Sequence, residues 1–258
     1  MTLELTDLHC TLGSRAVLQG LSATPLAKGR VVAIVGRNGT GKSTLMRAVA
    51  GLVPCSAARL HLNGRDLRGV NAAARAAHVR YLPQAAPGSL HLTVYESLRV
   101  ALNAHRTQPA DCAHERITAT ATDLGLAPLL GRYLDELSGG QRQLVWLAQA
   151  LMHRPEVMLL DEPLAALDPN YQHHVMQHVR RLAADQQLLV LVVLHDLNMA
   201  LRYADEALVL LDGTVIAQGP VHATLNAETL AQAFLVNARV ERCSRNMPVV
   251  IVDDLLEL

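Results

Sequence analysis

The sequence predicts an α/β fold, and three observations lead to that prediction. Short, continuous apolar runs, which a sheet covered on both faces requires, alternate with segments of helical periodicity. Half of the 258 residues are hydrophobic and only 18% are charged, so the chain can bury a large core and is not a disordered protein. This length lies at the upper end of one compact domain, which indicates one chain-long unit with an inserted subdomain.

Charge and aromatic content exclude a class of partners. Basic and acidic residues number 23 each, and aromatic residues make up 3% of the chain. The sequence therefore offers neither the basic surface nor the stacking rings of a nucleic-acid-binding protein. We expect no nucleic acid partner.

Cysteine spacing and hydropathy indicate the compartment. The four cysteines form no Cys-x-x-Cys pair, which argues against a disulfide framework or a zinc site and favours a reducing, cytosolic location. The first residues carry no secretory signal. The longest purely apolar run, 188–194, is far shorter than the ~20 residues that cross a bilayer. We therefore expect any membrane association to come through a partner.

The N-terminal part of the chain is predicted to begin with strands. Residues 3–8 alternate between apolar and polar side chains, and Val31–Val35 is a short apolar run. A helix is predicted for Lys42–Ala50 because Gly51 follows it directly. The segment 59–64 alternates and ends in Asn-Gly, which is a hairpin turn signal.

The remainder of the chain is predicted to be helical first and then mixed. From Gln84 to about 153 the β-branched runs disappear and Ala, Leu, Gln, Glu and Arg dominate, which predicts a helical insertion. Strands resume at Val157–Leu160 and 188–194, with a helix at about 171–184 between them. The last predicted elements are a helix from Leu197, a hairpin over 207–217 that turns at Asp212-Gly213, and a short C-terminal appendage.

A phosphate-binding motif occupies residues 36–43. Its sequence, GRNGTGKS, matches GxxxxGK[ST] and lies directly after an apolar strand and at the start of a helix, which is the context that the motif needs. Gly36, Gly39 and Gly41 let the backbone curl so that its N–H groups face a phosphate. Lys42 can reach the β- and γ-phosphates, and Ser43 can offer its hydroxyl to Mg2+. The motif predicts nucleotide binding without naming the reaction.

Two carboxylates end the apolar strand at Val157–Leu160. We predict that Asp161 holds Mg2+, through water, and that Glu162 acts as general base on the attacking water. Such a pair, taken alone, could equally be a solvated acidic strand end. The phosphate-binding motif upstream favours the catalytic interpretation.

A resemblance to a known family rests on residues 137–141. Their sequence, LSGGQ, resembles the signature of the ATP-binding cassette (ABC) ATPases and lies between the two phosphate-site motifs, as in that family. The resemblance covers roughly 3–219 and implies a P-loop NTPase fold of the ABC type, with an antiparallel β subdomain and an α-helical subdomain inserted at about 85–153. It places an ABC ATPase domain at 1–219 and leaves 220–258 as an appendage packed on the core.

The resemblance also assigns a nucleotide site shared between two copies of the chain. In the family the signature contacts the nucleotide held by the opposite subunit, which implies a head-to-tail dimer. The nucleotide-binding residues expected besides the motif glycines, Lys42 and Ser43 are Asn38, Thr44, Ser138, Gly139, Gly140, Gln141 and Asp168. Asp168 resembles the family's D-loop aspartate near the dimer interface.

Two further residues resemble catalytic elements of the family. Gln84 is similar to the Q-loop glutamine, which senses Mg2+ and the attacking water and links the ATP site to the membrane subunit. His195 directly follows a predicted strand, as the family's switch histidine does, and would contact the γ-phosphate. The expected cofactors are ATP and Mg2+, with Ser43, Gln84 and Asp161 around the metal.

The sequence departs from the family at the nucleobase. Members usually carry an aromatic residue that stacks on adenine near the end of the first strand, and Leu12 stands at that place. An apolar or Arg15 contact could substitute in part. Leu164 is a smaller departure, because a small hydroxyl residue is common there.

Two local sequences are similar to one subgroup of importers. These are YLPQ at 81–84 and HDLN at 195–198, the latter followed by Ala200 and by RYAD at 202–205. The subgroup energises uptake of iron siderophores, haem and cobalamin. The resemblance implies a bacterial importer ATPase, for ferric siderophore first and haem second, at the cytoplasmic face of the membrane. A separate permease and, indirectly, an extracytoplasmic binding protein would be its partners. A soluble ABC ATPase without a permease is the alternative.

The permease is expected to dock beside Gln84. We predict that residues 85–96 form a loop and an apolar wall there, with Leu92 and Val94 in the contact surface.

Overall fold

The computed structural model describes residues 2–84, 91–104, 113–152, 154–165 and 167–256. Its strands are β1 (Thr2–Leu12), β2 (Arg15–Ala27), β3 (Val31–Val35), β4 (Arg59–Leu62), β5 (Arg65–Asp66), β6 (Val79–Leu82), β7 (Val157–Leu160), β8 (Leu189–Val193), β9 (Glu206–Leu211), β10 (Thr214–Pro220), β11 (Val236–Arg242) and β12 (Pro248–Leu255). Its α-helices are α1 (Lys42–Ala50), α2 (Ala72–Arg75), α3 (Val94–Asn103), α4 (Ala113–Asp123), α5 (Gly139–Leu151), α6 (Pro169–Asp185), α7 (Leu197–Tyr203), α8 (Val221–Thr224) and α9 (Ala227–Phe234). Among these helices, none has both the length and the apolar composition that a bilayer crossing requires.

A six-stranded sheet forms the centre of the fold, in the order β10-β9-β3-β8-β7-β6. Its strands run parallel except β10, which pairs antiparallel with β9. The carboxyl ends of β3, β6, β7 and β8 therefore lie at one edge of the sheet. This is the edge at which open α/β sheets bind their ligands.

The buried strands are apolar throughout because both faces of this sheet are covered. All five residues of β3 are fully buried. Val31, Ala33 and Val35 belong to one core cluster, which also holds residues of α3–α7. Val32 and Ile34 point the other way, into a second cluster with α1, β1, β2 and β4.

A four-stranded antiparallel sheet, in the order β2-β1-β4-β5, covers the second face. The thirteen-residue β2 was not predicted as an element. Its register against β1 shifts at several points, and Asp7 and Gly20 both have positive φ, so bulges interrupt the alternation that would reveal a strand. The predicted Asn63-Gly64 turn is confirmed, and both of its residues have positive φ.

The helices α3, α4 and α5 lie within the stretch for which a helical insertion is predicted. Thr93 and Glu96 form a reciprocal capping box at the start of α3. The expectation that Val94 lines a docking surface is wrong. Val94 is completely buried as the first residue of α3 and packs in the main core, whereas Leu92 is half-buried. Residues 85–90 of the predicted docking loop lie outside the described residues.

The C-terminal appendage contains two short helices and the antiparallel ribbon β11–β12, none of which was predicted as an element. Asn198 of α7 joins this ribbon through its side-chain amide. Its Oδ1 accepts a hydrogen bond from the Val250 N–H at 2.8 Å, and its Nδ2 donates to the Val250 carbonyl at 3.5 Å. The ribbon thus lies against the helix that begins two residues after His195.

A buried arginine holds the end of α1, the helix that carries Lys42 and Ser43. Arg75 is 5% exposed and donates from Nη1 to the carbonyls of Ala48 at 2.8 Å and Val49 at 3.0 Å. These carbonyls belong to the last turn of α1, where a helix lacks N–H donors of its own and favours a positive charge. Arg75, the last residue of α2, therefore joins α2 to the end of α1.

Replacing Arg75 with alanine should lower the free energy of unfolding by about 2–4 kcal/mol, because it removes a buried side chain and leaves the Val49 carbonyl without that donor. Chemical denaturation monitored by circular dichroism measures this change. Arg59→Ala is the matched control, since Arg59 forms an exposed ion pair with Glu4 and should cost less than about 1 kcal/mol. An equal effect of the two variants would contradict a special role for Arg75.

Candidate nucleotide-binding site

The loop at residues 36–43, hereafter the P-loop, is held closely against β2 and β9. A Cβ atom on Gly36 would lie 2.3 Å from the Leu210 carbonyl oxygen, and one on Gly41 would lie 2.8 Å from Leu18 Cδ2. Both glycines also have φ in the left-handed region, at 147° and 101°. Glycine is therefore required at both positions for space and for backbone conformation.

Lys42 lies inside the P-loop and is only 5% exposed. Its Nζ donates to the carbonyls of Gly36 and Arg37, both at 2.8 Å. Burial lowers the pKa of the Lys42 ammonium from its ordinary value, and the carboxylates of Glu162 and Asp161 oppose part of that shift. The loop carbonyls thus hold the ammonium among the backbone N–H groups that would face a phosphate.

Asp161, at the end of β7, has its side chain fully partnered. It is 3% exposed. Its Oδ1 accepts from the Ser43 hydroxyl, and its Oδ2 accepts from the Tyr81 hydroxyl, each at 2.9 Å. The structure therefore brings together Ser43 and Asp161, two of the three residues predicted around Mg2+, and adds a tyrosine.

Glu162 is the meeting point of the residues predicted to be catalytic. Its Oε2 accepts from Gln84 Nε2 and its Oε1 contacts His195 Nε2, both at 2.7 Å. Glu162 also has a φ of 50°, a left-handed backbone conformation that residues other than glycine rarely adopt. In this conformation its carboxylate is directed toward Gln84 and His195.

These residues surround a cavity of about 500 Å3, hereafter the P-loop cavity. Its lining consists of Arg15, Val17, Asn38, Gly39, Gly41, Lys42, Ser43, Thr44, Gln84, Glu162 and His195. Most of the residues predicted from the P-loop motif and the strand ends thus share one cavity. Val17 was missed, because β2 itself was not predicted.

The signature residues lie at the start of α5 and are not part of this lining. Ser138 and Gln141 cap each other, since Ser138 Oγ accepts from the Gln141 N–H and Gln141 Oε1 accepts from the Ser138 N–H. Ser138 and Gly139 are exposed. Gly140 is buried against Tyr171 of α6, where a Cβ atom would lie 2.3 Å from the ring.

Asp168 caps the next helix rather than contacting the P-loop cavity. Its Oδ1 accepts from the Tyr171 N–H at 3.0 Å, and Pro169 occupies the first helical position. Leu164 is buried in the main core. The Leu164 side chain, where the family commonly has a small hydroxyl residue, therefore contributes to core packing.

Arg15 and Val17, at the start of β2, also line the P-loop cavity. Residues two apart on a strand share a face, and Leu12 pairs directly with Arg15 across the β1–β2 turn. Leu12 is 38% exposed. Leu12, which occupies the position expected for the family's aromatic residue, thus lies beside the Arg15 side chain.

The donor set around Asp161 and Glu162 suits Mg2+. The ion prefers oxygen ligands and usually binds through one or two carboxylates together with substrate phosphates and water. Ser43, Gln84, Asp161 and Glu162 supply hydroxyl, amide and carboxylate oxygens in two hydrogen-bonded pairs, Ser43 with Asp161 and Gln84 with Glu162. Among the described residues, no cluster of three or more His, Cys, Asp or Glu side chains would hold a metal alone, which is compatible with a metal shared with phosphates.

Comparison with known proteins identifies the family. Residues 18–165 match the family described as ABC transporter. The chain is 36% identical over 241 residues to the cobalamin import ATP-binding protein BtuD of Halobacterium salinarum, covering 93% of this chain and 60% of that protein. It belongs to the ABC transporter family. The chain, hereafter the cassette, is also 31% identical over 260 residues to the iron(3+)-hydroxamate import ATP-binding protein FhuC of Bacillus subtilis, covering 99% and 96% of the two chains.

A third relative and one solved structure agree with this assignment, and a second solved structure shares the fold. The hemin import ATP-binding protein HmuV of Rhizobium meliloti is 35% identical over 247 residues, covering 92% of the cassette and 93% of that protein. A nucleotide-free ATP-binding cassette from an ABC transporter has a TM-score of 0.75 at 26% identity, covering 90% and 95%. An inward-facing metal-chelate type ABC transporter has a TM-score of 0.79 at 23% identity, covering 99% and 98%. The predicted ABC ATPase fold is confirmed.

Substituting Leu12 with tyrosine should tighten ATP binding. A ring there would stack on the base, and base stacking contributes about 1–3 kcal/mol, which corresponds to roughly a fivefold or larger gain in affinity. Titration calorimetry with a non-hydrolysable ATP analogue and Mg2+ measures the gain. Leu52→Tyr is the control, because Leu52 is an exposed leucine beyond the C-terminal end of α1, whereas Leu12 pairs with Arg15 of the cavity lining. Unchanged affinity in Leu12→Tyr would mean that the base does not lie beside Leu12.

Proposed function

We propose that the cassette is the ATP-hydrolysing subunit of an importer for a metal chelate. Ferric siderophore is the first candidate cargo, and haem and cobalamin are the alternatives. The cassette would act at the cytoplasmic face of the membrane as a head-to-tail pair on a separate permease, and a substrate-binding protein would deliver the cargo from the other side.

The single observation that carries ATP hydrolysis is the arrangement around Glu162. Gln84 and His195 both contact its carboxylate, and the three side chains line the same cavity as Lys42. A carboxylate held in this way can take the proton of an attacking water as general base. Gln84 would orient that water, and the Nε2–H of His195 would donate to the γ-phosphate.

The remaining cavity residues would bind the triphosphate. Backbone N–H groups of the P-loop and the Lys42 ammonium would neutralise its β- and γ-phosphates. Ser43 and Asp161, with Gln84 beside them, would hold Mg2+. When bound, this ion supplies charge neutralisation between the β- and γ-phosphates.

A second copy of the cassette would complete the site. Ser138 and Gly139 are exposed at the N-terminus of a thirteen-residue helix, where backbone N–H groups and the helix dipole favour an anion. They lie outside the lining of the cassette's own P-loop cavity. A head-to-tail partner would present its Ser138, Gly139 and Gly140 to the γ-phosphate, with Asp168 nearby. ATP would then favour the closed pair, and hydrolysis would release it.

The relatives support a metal chelate as cargo. Those named above import cobalamin, iron(3+)-hydroxamate and hemin, all of which are complexes of a metal with an organic ligand. The iron(3+)-hydroxamate relative matches nearly the full length of both chains, which favours a ferric siderophore. The cargo would contact the permease and the binding protein, so its identity is tested through them.

Copurification tests the transport assignment. We expect the tagged cassette, purified from detergent-solubilised membranes of its source cells, to bring a polytopic permease with it and to hydrolyse ATP faster in that complex. Glu162→Gln is the matched variant, because it keeps the side-chain shape but removes the base. It should copurify with the permease equally well and lose turnover.

Three results distinguish the parts of this proposal. Recovery of soluble proteins alone would favour a soluble ABC ATPase and overturn the transport role. Full turnover in Glu162→Gln would remove Glu162 as the base. With the complex and its binding protein in vesicles, stimulation of ATP turnover by a ferric hydroxamate, by haemin or by cobalamin would identify the cargo.

A further inference from the structure

The two carboxylate oxygens of Asp161 accept hydrogen bonds from different parts of the fold. Oδ1 accepts from Ser43 in the P-loop, and Oδ2 accepts from Tyr81 on β6. Because the carboxylate is only 3% exposed, solvent offers it little alternative hydrogen bonding. Its orientation is therefore set by these two hydroxyl groups.

The direction of the Tyr81 hydroxyl is itself fixed by Arg47. Arg47 Nε lies 3.4 Å from the phenolic oxygen and can only donate, so that oxygen accepts from Arg47. The phenolic proton is then directed to Asp161 Oδ2. Ser43 and Arg47 are four residues apart on α1 and share one face of the helix, so α1 provides one partner for Asp161 and one for Tyr81.

The backbone reinforces this arrangement. Tyr81 pairs with Leu159 in the β6–β7 ladder, and the Asp161 N–H donates to the Leu82 carbonyl at 3.0 Å. The two side chains are therefore held at the ends of adjacent strands. Tyr81 does not line the P-loop cavity, and its hydroxyl contacts Asp161 and Arg47.

We propose that Tyr81 is a positioning residue for the magnesium site. By occupying Oδ2 it leaves Oδ1 as the oxygen of Asp161 that faces the metal beside the Ser43 hydroxyl. This inference rests on the proposed binding of Mg2+ and ATP at the P-loop. Partners that orient a metal-holding carboxylate typically change metal affinity by roughly 10- to 100-fold when they are removed.

The competing explanation is that Tyr81 only packs. Its ring is half-buried beside the second core cluster, so a purely structural role would act through the ring and would persist in phenylalanine. Tyr81→Phe keeps the ring and removes the hydroxyl. The two explanations therefore predict different results for this substitution.

The test is the Mg2+ dependence of nucleotide binding in Tyr81→Phe. Calorimetric titration with a non-hydrolysable ATP analogue, at a series of Mg2+ concentrations and in EDTA, measures it without turnover. We expect the Mg2+ concentration for half-maximal enhancement of binding to rise roughly tenfold or more, while the affinity in EDTA stays at the wild-type value.

Tyr203→Phe is the matched control. Tyr203 is a buried tyrosine whose hydroxyl lies 2.8 Å from His173 Nδ1, so its substitution also removes one buried hydroxyl contact. It should leave the Mg2+ dependence unchanged. Arg47→Met is a second variant, which should shift the Mg2+ dependence in the same direction by a smaller factor.

Two outcomes would overturn the proposal. One is a wild-type Mg2+ dependence in Tyr81→Phe, whatever the result for Arg47→Met. The other is an equal loss of affinity with Mg2+ and in EDTA, which would mean that Tyr81 shapes the whole cavity. A wild-type cassette that binds no nucleotide under any condition would instead contradict the proposed function itself.

Discussion

Two consecutive carboxylates at the end of a buried strand impose the main constraint on this structure. A buried carboxylate without donors costs several kcal/mol, so Asp161 and Glu162 need partners that the strand itself cannot supply. The partners come from separate segments of the chain, and they are Ser43, Tyr81, Gln84 and His195. They can meet only if β3, β6 and β8 lie in parallel register around β7. The geometry of the site therefore depends on the strand order.

The sheet's two covered faces explain how this arrangement is kept in place. Its apolar strands require packing on both sides, which α3–α7 provide on one face and α1 with the antiparallel sheet on the other. The second face also carries the P-loop, since Gly41 packs against Leu18 and the Gly213 N–H donates to the Thr40 carbonyl at 3.2 Å. Packing that stabilises the core therefore also positions the phosphate-binding loop.

Local signals in the sequence predicted much of the fold and the site. α1 and β7 have the predicted bounds, because Gly51 ends the helix and an uninterrupted apolar run marks the strand. Bulges concealed β2, and the burial of Val94 depends on how α3 packs. The subgroup motifs also have partners distant in sequence, such as Tyr81 with Asp161 and Asn198 with Val250. Sequence spacing carries no information about such contacts.

The structure of Glu162→Gln with ATP and Mg2+ would test the central claim most directly. The account predicts the β- and γ-phosphates in the P-loop, the Ser43 hydroxyl turned from Asp161 Oδ1 to the metal, and the Tyr81 contact with Oδ2 retained. Mg2+ bound by other residues, with the contact between Ser43 and Asp161 unchanged, would contradict it.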